Sequence, residues 1–235
     1  MRPALLLLLL LPGTASAAER PVFVSSFDRL RVEGPFRVVV TTGRSPSARI
    51  GGDARRLDRV EVRLDGTTLV VRPTIERWQE RQEPATGAEP VVVTLATPLL
   101  GSASVIGGGA VTIAGGRAVR LDLSVAGAGS IELTGAVAEQ ANATVIGTGR
   151  IALAGRAAKA RLLVNGAGRI EADALEAGEL TVRVDGPGDT RARARYVATV
   201  TNTGLGHVTI AGTPRCIVRS DAGGPVTCGP AGATR

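Results

Sequence analysis

The sequence predicts an all-β protein: a parallel β-helix or β-solenoid with coils of about 20 residues, preceded by a less regular β segment. Three observations predict it. A Gly-x-Gly pair recurs six times at near-constant spacing, a second small-residue column follows eight residues behind it, and the residues between alternate apolar and polar.

The pairs are Gly107/Gly109, Gly127/Gly129, Gly147/Gly149, Gly166/Gly168, Gly186/Gly188 and Gly204/Gly206, at steps of 20, 20, 19, 20 and 18 residues. The second column reads Gly115, Gly135, Gly155, Ala174, Ala194 and Gly212. Alternation with period two marks strands with one buried face. Three columns are therefore expected to point inward. One is Val105, Val125, Val145, Val164 and Val184, interrupted by Asn202; another is Val111, Ile131, Ile151, Ile170, Thr190 and Val208; the third is Ile113, Leu133, Leu153, Ala172, Ala192 and Ile210. The column Thr112, Glu132, Ala152, Glu171, Arg191 and Thr209 is expected to face solvent. One repeat encloses too little core to fold alone, so successive repeats must stack.

A single Gly-x-Gly also invites a phosphate-cradling reading, which the repeat excludes. A dinucleotide fingerprint needs a third glycine three residues after the second and then a helix. Glu132 stands at that place after Gly129, followed by a strand-like alternation.

Taken in order, residues 1–18 read as a secretory signal peptide. Arg2 precedes an apolar run, Leu5 to Leu11, then Pro12, Gly13 and the small-residue site Ala15-Ser16-Ala17, placing cleavage near Ala17 or Ala18. The run is too short to span a bilayer, and with no Cys behind it a lipid-modified N-terminus is not expected. The mature chain is expected in the periplasm or outside the cell, with no transmembrane segment. Residues 19–100 form the N-terminal β region: "LRVEGPFRVVVTTG" and "VEVRLDGTTLVVRP" alternate between Gly34, Gly43 and Gly66. Ile75 to Pro90, with Trp78, reads as an exposed excursion. The repeats occupy 101–213, and 214–235 is a C-terminal cap. There Cys216 and Cys228 are expected to form a disulfide, as suits an exported chain. His207 is the only histidine and no CxxC exists, so no metal site and no cofactor are expected.

The formal net charge is +7, and Lys159 is the only lysine among 28 basic residues. Arginine suits bidentate contacts to carboxylate, sulfate or phosphate. Aromatic residues make up only 2% of the chain, too few for base-stacking platforms, so no nucleic-acid role is expected. Three residues past each first glycine stand Ala110, Ser130, Arg150, Arg169, Asp189 and His207. Stacked at about 4.8 Å, the last four would form one ridge with Arg191 nearby. That ridge is the candidate binding surface for an acidic glycan or envelope component; its alternative is a solvated edge that discourages aggregation.

The chain resembles the bacterial auto-transporter adhesin, head GIN domain family. The resemblance rests on "FDRLRVEGPFRVVVTTG", on "VEVRLDGTTLVV", and on the succession "VIGGGAVTI", "VAGAGSIEL", "VIGTGRIAL", "VNGAGRIEA" and "VDGPGDTRA", over about residues 23–212. It implies an exported, non-catalytic β-solenoid, a cell-envelope binding or adhesin-like module. The chain departs from the auto-transporter label in showing no long C-terminal translocator barrel. A purely structural envelope component and, behind it, a carbohydrate-active β-helix enzyme are the alternatives. Fold alone confers no activity, and the repeat register clusters few of the carboxylates that glycoside hydrolysis requires.

Overall fold

A computed structural model of the chain describes residues 18–74, 91–221 and 223–229. The expected signal peptide and the Ile75–Pro90 excursion with Trp78 fall outside the described residues, apart from Ala18. The N-terminal strands are β1 (Ala18–Val22), β2 (Arg29–Glu33), β3 (Arg37–Thr42) and β4 (Ser47–Gly52). One helical turn, α1 (Ala54–Leu57), precedes β5 (Val60–Asp65), β6 (Thr68–Pro73) and β7 (Val92–Thr97). The repeats supply β8 (Ser102–Gly107), β9 (Ala110–Ala114), β10 (Arg117–Gly127), β11 (Ser130–Gly147), β12 (Arg150–Asn165), β13 (Arg169–Asp185) and β14 (Asp189–Asn202). The chain closes with β15 (Val208–Gly212), β16 (Arg215–Ser220) and β17 (Val226–Cys228).

The repeats stack as a parallel β-solenoid, as expected. Each residue pairs with its equivalent one coil away: Val105 with Val125, Val125 with Val145, Val145 with Val164 and Val164 with Val184. All five are buried, as are the columns from Val111 to Val208 and from Ile113 to Ile210. Asn202 does not interrupt the first column. It is fully buried as the register partner of Val184, and its amide is satisfied by the neighbouring turn: Nδ2 donates to the Gly206 carbonyl at 2.8 Å, and Oδ1 accepts from the Gly204 amide at 3.1 Å. A buried amide is tolerated where its hydrogen bonds are made.

Backbone stacking explains why both glycines of a pair are needed. Gly127 has φ +112°, which L side chains rarely adopt, and a Cβ there would sit 2.9 Å from the Gly107 carbonyl oxygen. At Gly149 the obstacle is the coil below. A Cβ would lie 2.4 Å from a Val125 methyl and 2.7 Å from the Gly129 carbonyl oxygen.

The N-terminal strands carry the same rungs, but not in chain order. β2 pairs in parallel with both β6 and β8, and β3 with both β7 and β9. Thus the coil formed by β2 and β3 lies between the later β6–β7 coil and the repeats, and Val32 sits in line with Val71 and Val105. The outer edge of the β6–β7 coil is closed by antiparallel strands: β5 on β6, β4 on β7, and β1 on β4. Capping of this kind covers an otherwise unpaired edge. The opposite end is closed differently. β16 stacks on β14 and β17 on β15, with Cys216 over Ala198 and Cys228 over Ile210. Both cysteines thus occupy core columns of the last coil. The Cys216–Cys228 disulfide joins two sides of that coil across 12 residues of sequence and lies over buried Ala198 and Ile210. In the chain-entropy model so short a loop contributes about 3 kcal/mol.

Gly149→Ala is expected to lower the melting temperature by several degrees, the equivalent of about 1–3 kcal/mol of overpacking. Gly108→Ala, where a Cβ would meet nothing within 4 Å, serves as the neutral control. Thermal unfolding followed by circular dichroism checks both. Thr190 occupies an inward position between Ile170 and Val208, fully buried, and its hydroxyl has no partner among the described residues. Thr190→Val removes that hydroxyl at constant shape, and denaturant titration is expected to show stabilisation of about 1–3 kcal/mol.

Candidate functional site

The ridge forms on the side of the solenoid built from the five-residue stretches after each glycine pair. Alternation turns every second side chain of these stretches outward. Parallel register then stacks Ser130 on Arg150, Arg150 on Arg169, and Arg169 on Asp189. The next coil brings in His207, whose backbone amide donates to Asp189 Oδ1 at 3.2 Å while its Nδ1 lies 3.6 Å from the same oxygen.

Two arginines one strand spacing apart would repel. Glu171, one step along the outward alternation from Arg169, resolves this. Arg150 donates to Glu171, and Arg169 lies 4.0 Å from the other Glu171 oxygen and 3.9 Å from Asp189. The sequence-derived ridge therefore comes together as a chain of ion pairs, Arg150–Glu171–Arg169–Asp189, with His207 at its end, rather than as bare positive charge. Arg191 stacks on Glu171 in register but, among the described residues, makes no ion pair. Arg150 and Arg169 keep more than half their side-chain surface in solvent, so their remaining N–H groups face outward.

Glu171 was visible in the sequence only as a member of the neighbouring solvent column; its role as counter-ion follows from diagonal reach, not from column position. Two further arginines were not singled out. Arg193 and Arg195 continue the outward alternation begun by Arg191, and the signal was the literal run "RARAR" from Arg191 to Arg195.

Perturbed ionisation lies elsewhere. A hydrogen bond from Arg72 holds the Glu61 carboxyl below its ordinary range. Asp185 is lowered by the Thr203 hydroxyl and then by Arg183, whose Nε donates to it at 2.9 Å. Among the described residues no group of three or more His, Cys, Asp or Glu side chains is placed to hold a metal ion. No helix among them is long and apolar enough to cross a membrane.

Fold and ridge together define a β-solenoid that displays an ordered charged surface on a rigid, stacked scaffold. The chain belongs to the family described as "Putative auto-transporter adhesin, head GIN domain", whose model matches residues 26–214. Its fold is shared with solved structures. A putative adhesin from Bacteroides fragilis superposes with a TM-score of 0.78 at 21% identity, covering 92% of this chain and 97% of that one. A protein from Parabacteroides distasonis described as a putative lipid binding protein gives 0.73 at 16% identity, with the same coverages. A putative adhesin from Parabacteroides merdae gives 0.65 at 16%, again over 92% and 97%. No curated protein shows a significant sequence match to the chain.

Thr203→Val is expected to raise the Asp185 pKa toward the ordinary aspartate value, as read by NMR titration of the carboxyl. A depressed carboxylate stabilises the fold above its unfolded pKa and loses that contribution as pH falls through the folded value. The variant should therefore show a smaller loss of stability on acidification than the parent chain.

Proposed function

We propose that the protein is an exported, non-catalytic adhesin-like module that binds an anionic polymer of the cell envelope along the ridge. The observation that carries this reading is the ridge itself, ordered over four consecutive coils. Its three guanidiniums, Arg150, Arg169 and Arg191, face two carboxylates, Glu171 and Asp189, leaving one net positive charge with His207 neutral. The alternating pairs fix Arg150 and Arg169 in place. Preorganised donors on a flat stack suit a repeating acidic glycan, whose charges recur along a line as the coils do. Membership in an adhesin-head family supports the same direction.

Export is supported by the disulfide, which persists in oxidising compartments, and by the signal-like sequence of residues 1–18. Absence of catalysis is part of the proposal: Glu171 and Asp189, the carboxylates of the ridge, both serve as counter-ions to arginine. The description of the Parabacteroides distasonis neighbour as lipid-binding supports a second reading, in which the envelope component is the anionic head group of a lipopolysaccharide.

The test is charge reversal. The mature chain is screened against cell-envelope fractions and a glycan array, and Arg150→Glu/Arg169→Glu is compared with it on immobilised anionic polysaccharide. The double variant is expected to elute at clearly lower salt, because exposed charge contacts are screened by salt. Unchanged retention defeats the ridge. A parent chain that binds no envelope fraction leaves a structural component as the better description.

A further inference from the structure

We propose that Arg193 and Arg195 form a seat for the carboxylate of an acidic sugar residue, in a notch where the solenoid changes coil length. This rests on the polymer-binding reading above and adds to it a discrete site beside the ridge.

The notch follows from register. Ala172 pairs with Ala192 and Glu176 with Arg193, so β13 uses three residues, Asp173 to Leu175, that β14 lacks. A few residues on, Ala177 pairs with Ala194 and Glu179 with Val197, so β14 carries one residue more than β13, in Arg195–Tyr196 opposite Gly178. A net loss of two residues matches the shortening of the coil from 20 to 18 in the glycine spacing. The outcome is a recess beside a bulge, and bulges re-aim side chains. A cavity of about 400 Å³ opens there, lined by Glu176, Arg193, Ala194, Arg195, Gly212 and Thr213; that lies within the ~300–1,000 Å³ of small-ligand sites. Gly212, at φ +100°, allows its turn to lie on β14, since a Cβ there would fall 2.2 Å from the Ala194 carbonyl oxygen.

Both guanidiniums are held, and neither is ion-paired among the described residues. Arg193 Nε donates to the Asp173 carbonyl at 3.1 Å, which leaves its terminal N–H groups for another acceptor. Arg195 lies over the Tyr196 ring, 5.2 Å from its centroid, as in a cation–π contact. Among the described residues neither makes an ion pair, in contrast to Arg150, Arg169 and Arg183. Glu176 is the one carboxylate of the lining. Two guanidiniums suit an oxyanion that accepts bidentate hydrogen bonds, while Glu176 and Thr213 offer acceptors for hydroxyl donors. A uronic acid residue carries an oxyanion and hydroxyl donors on one rigid ring, and the vesicle arm below tests the alternative source of the oxyanion, a lipid phosphate. Arg191 joins the notch to the ridge through the Arg191–Arg193–Arg195 alternation, so one polymer could occupy both.

The experiment measures affinity of the full mature chain for polygalacturonate, with neutral dextran and phosphatidylglycerol vesicles as comparison arms. Arg193→Ala/Arg195→Ala is expected to lower affinity for polygalacturonate at least tenfold. Arg193→Lys/Arg195→Lys, which keeps charge but not the fork geometry, should recover only part of it. Arg219→Ala, an exposed arginine on another side, should bind as the parent does, and unchanged melting temperatures exclude a folding defect. Equal binding by the parent and the double alanine variant overturns the seat while leaving the ridge reading intact. Full recovery by lysine, or parent binding to vesicles but not to polygalacturonate, overturns the sugar assignment. A parent chain retained by no acidic polysaccharide overturns both this seat and the glycan reading of the ridge.

Discussion

The structure depends on stacking coil upon coil at one strand spacing. At about 4.8 Å, a side chain in one coil touches the equivalent side chain above and below, so the core is built of vertical columns rather than of contacts within a coil. A lone coil presents its apolar residues to water on two sides. Stability therefore resides in neighbour-to-neighbour interfaces, and the two ends need separate solutions. One end is closed by antiparallel strands. The other, too short for such a layer among the described residues, is closed by a covalent bridge between two core positions.

The same spacing governs the surface. It sets chemically equivalent side chains at van der Waals distance whether or not that is favourable. Where Arg150 and Arg169 recur, Glu171 and Asp189 must intervene. Ion pairing on this side is thus a consequence of the repeat geometry before it is a functional device, and a ligand that binds here must exploit order rather than raw charge. The notch at Arg193 and Arg195 differs because the register slips there, and Glu176, the register partner of Arg193, makes no ion pair with it among the described residues.

Much of the fold was legible because the two periodicities are independent and agree. Alternation alone assigned Val125 to the interior; the 20-residue recurrence alone placed it between Val105 and Val145. Asn202 and Thr190 could be recognised as inward positions despite their chemistry, since columns identify place and not hydrophobicity. The N-terminal coils were not legible as part of the stack. The β2–β3 turn reads Gly34-Pro35-Phe36 instead of Gly-x-Gly, and the coils enter the stack out of order, so no sliding comparison aligns them. In the candidate site, column arithmetic gave Arg150, Arg169, Asp189 and His207 but not Glu171, which acts along a diagonal. It failed at Arg193 and Arg195 because counting from the glycines holds only while coils keep one length.

The out-of-order coil also bears on how the molecule is made. In the repeats each pairing joins residues about one coil apart, as Val125 to Val145, whereas Leu30 must find Ala103. Closing the longer loop costs more chain entropy, and distant pairings slow folding. Folding is therefore expected to nucleate in the regular repeats, with the β2–β3 strands docking afterwards onto a platform that emerges later in the chain. A polypeptide threaded from its N-terminus through a membrane would hold β2 and β3 with one edge open until residue 114 had followed them, which makes that interval the one in which a chaperone has most to protect.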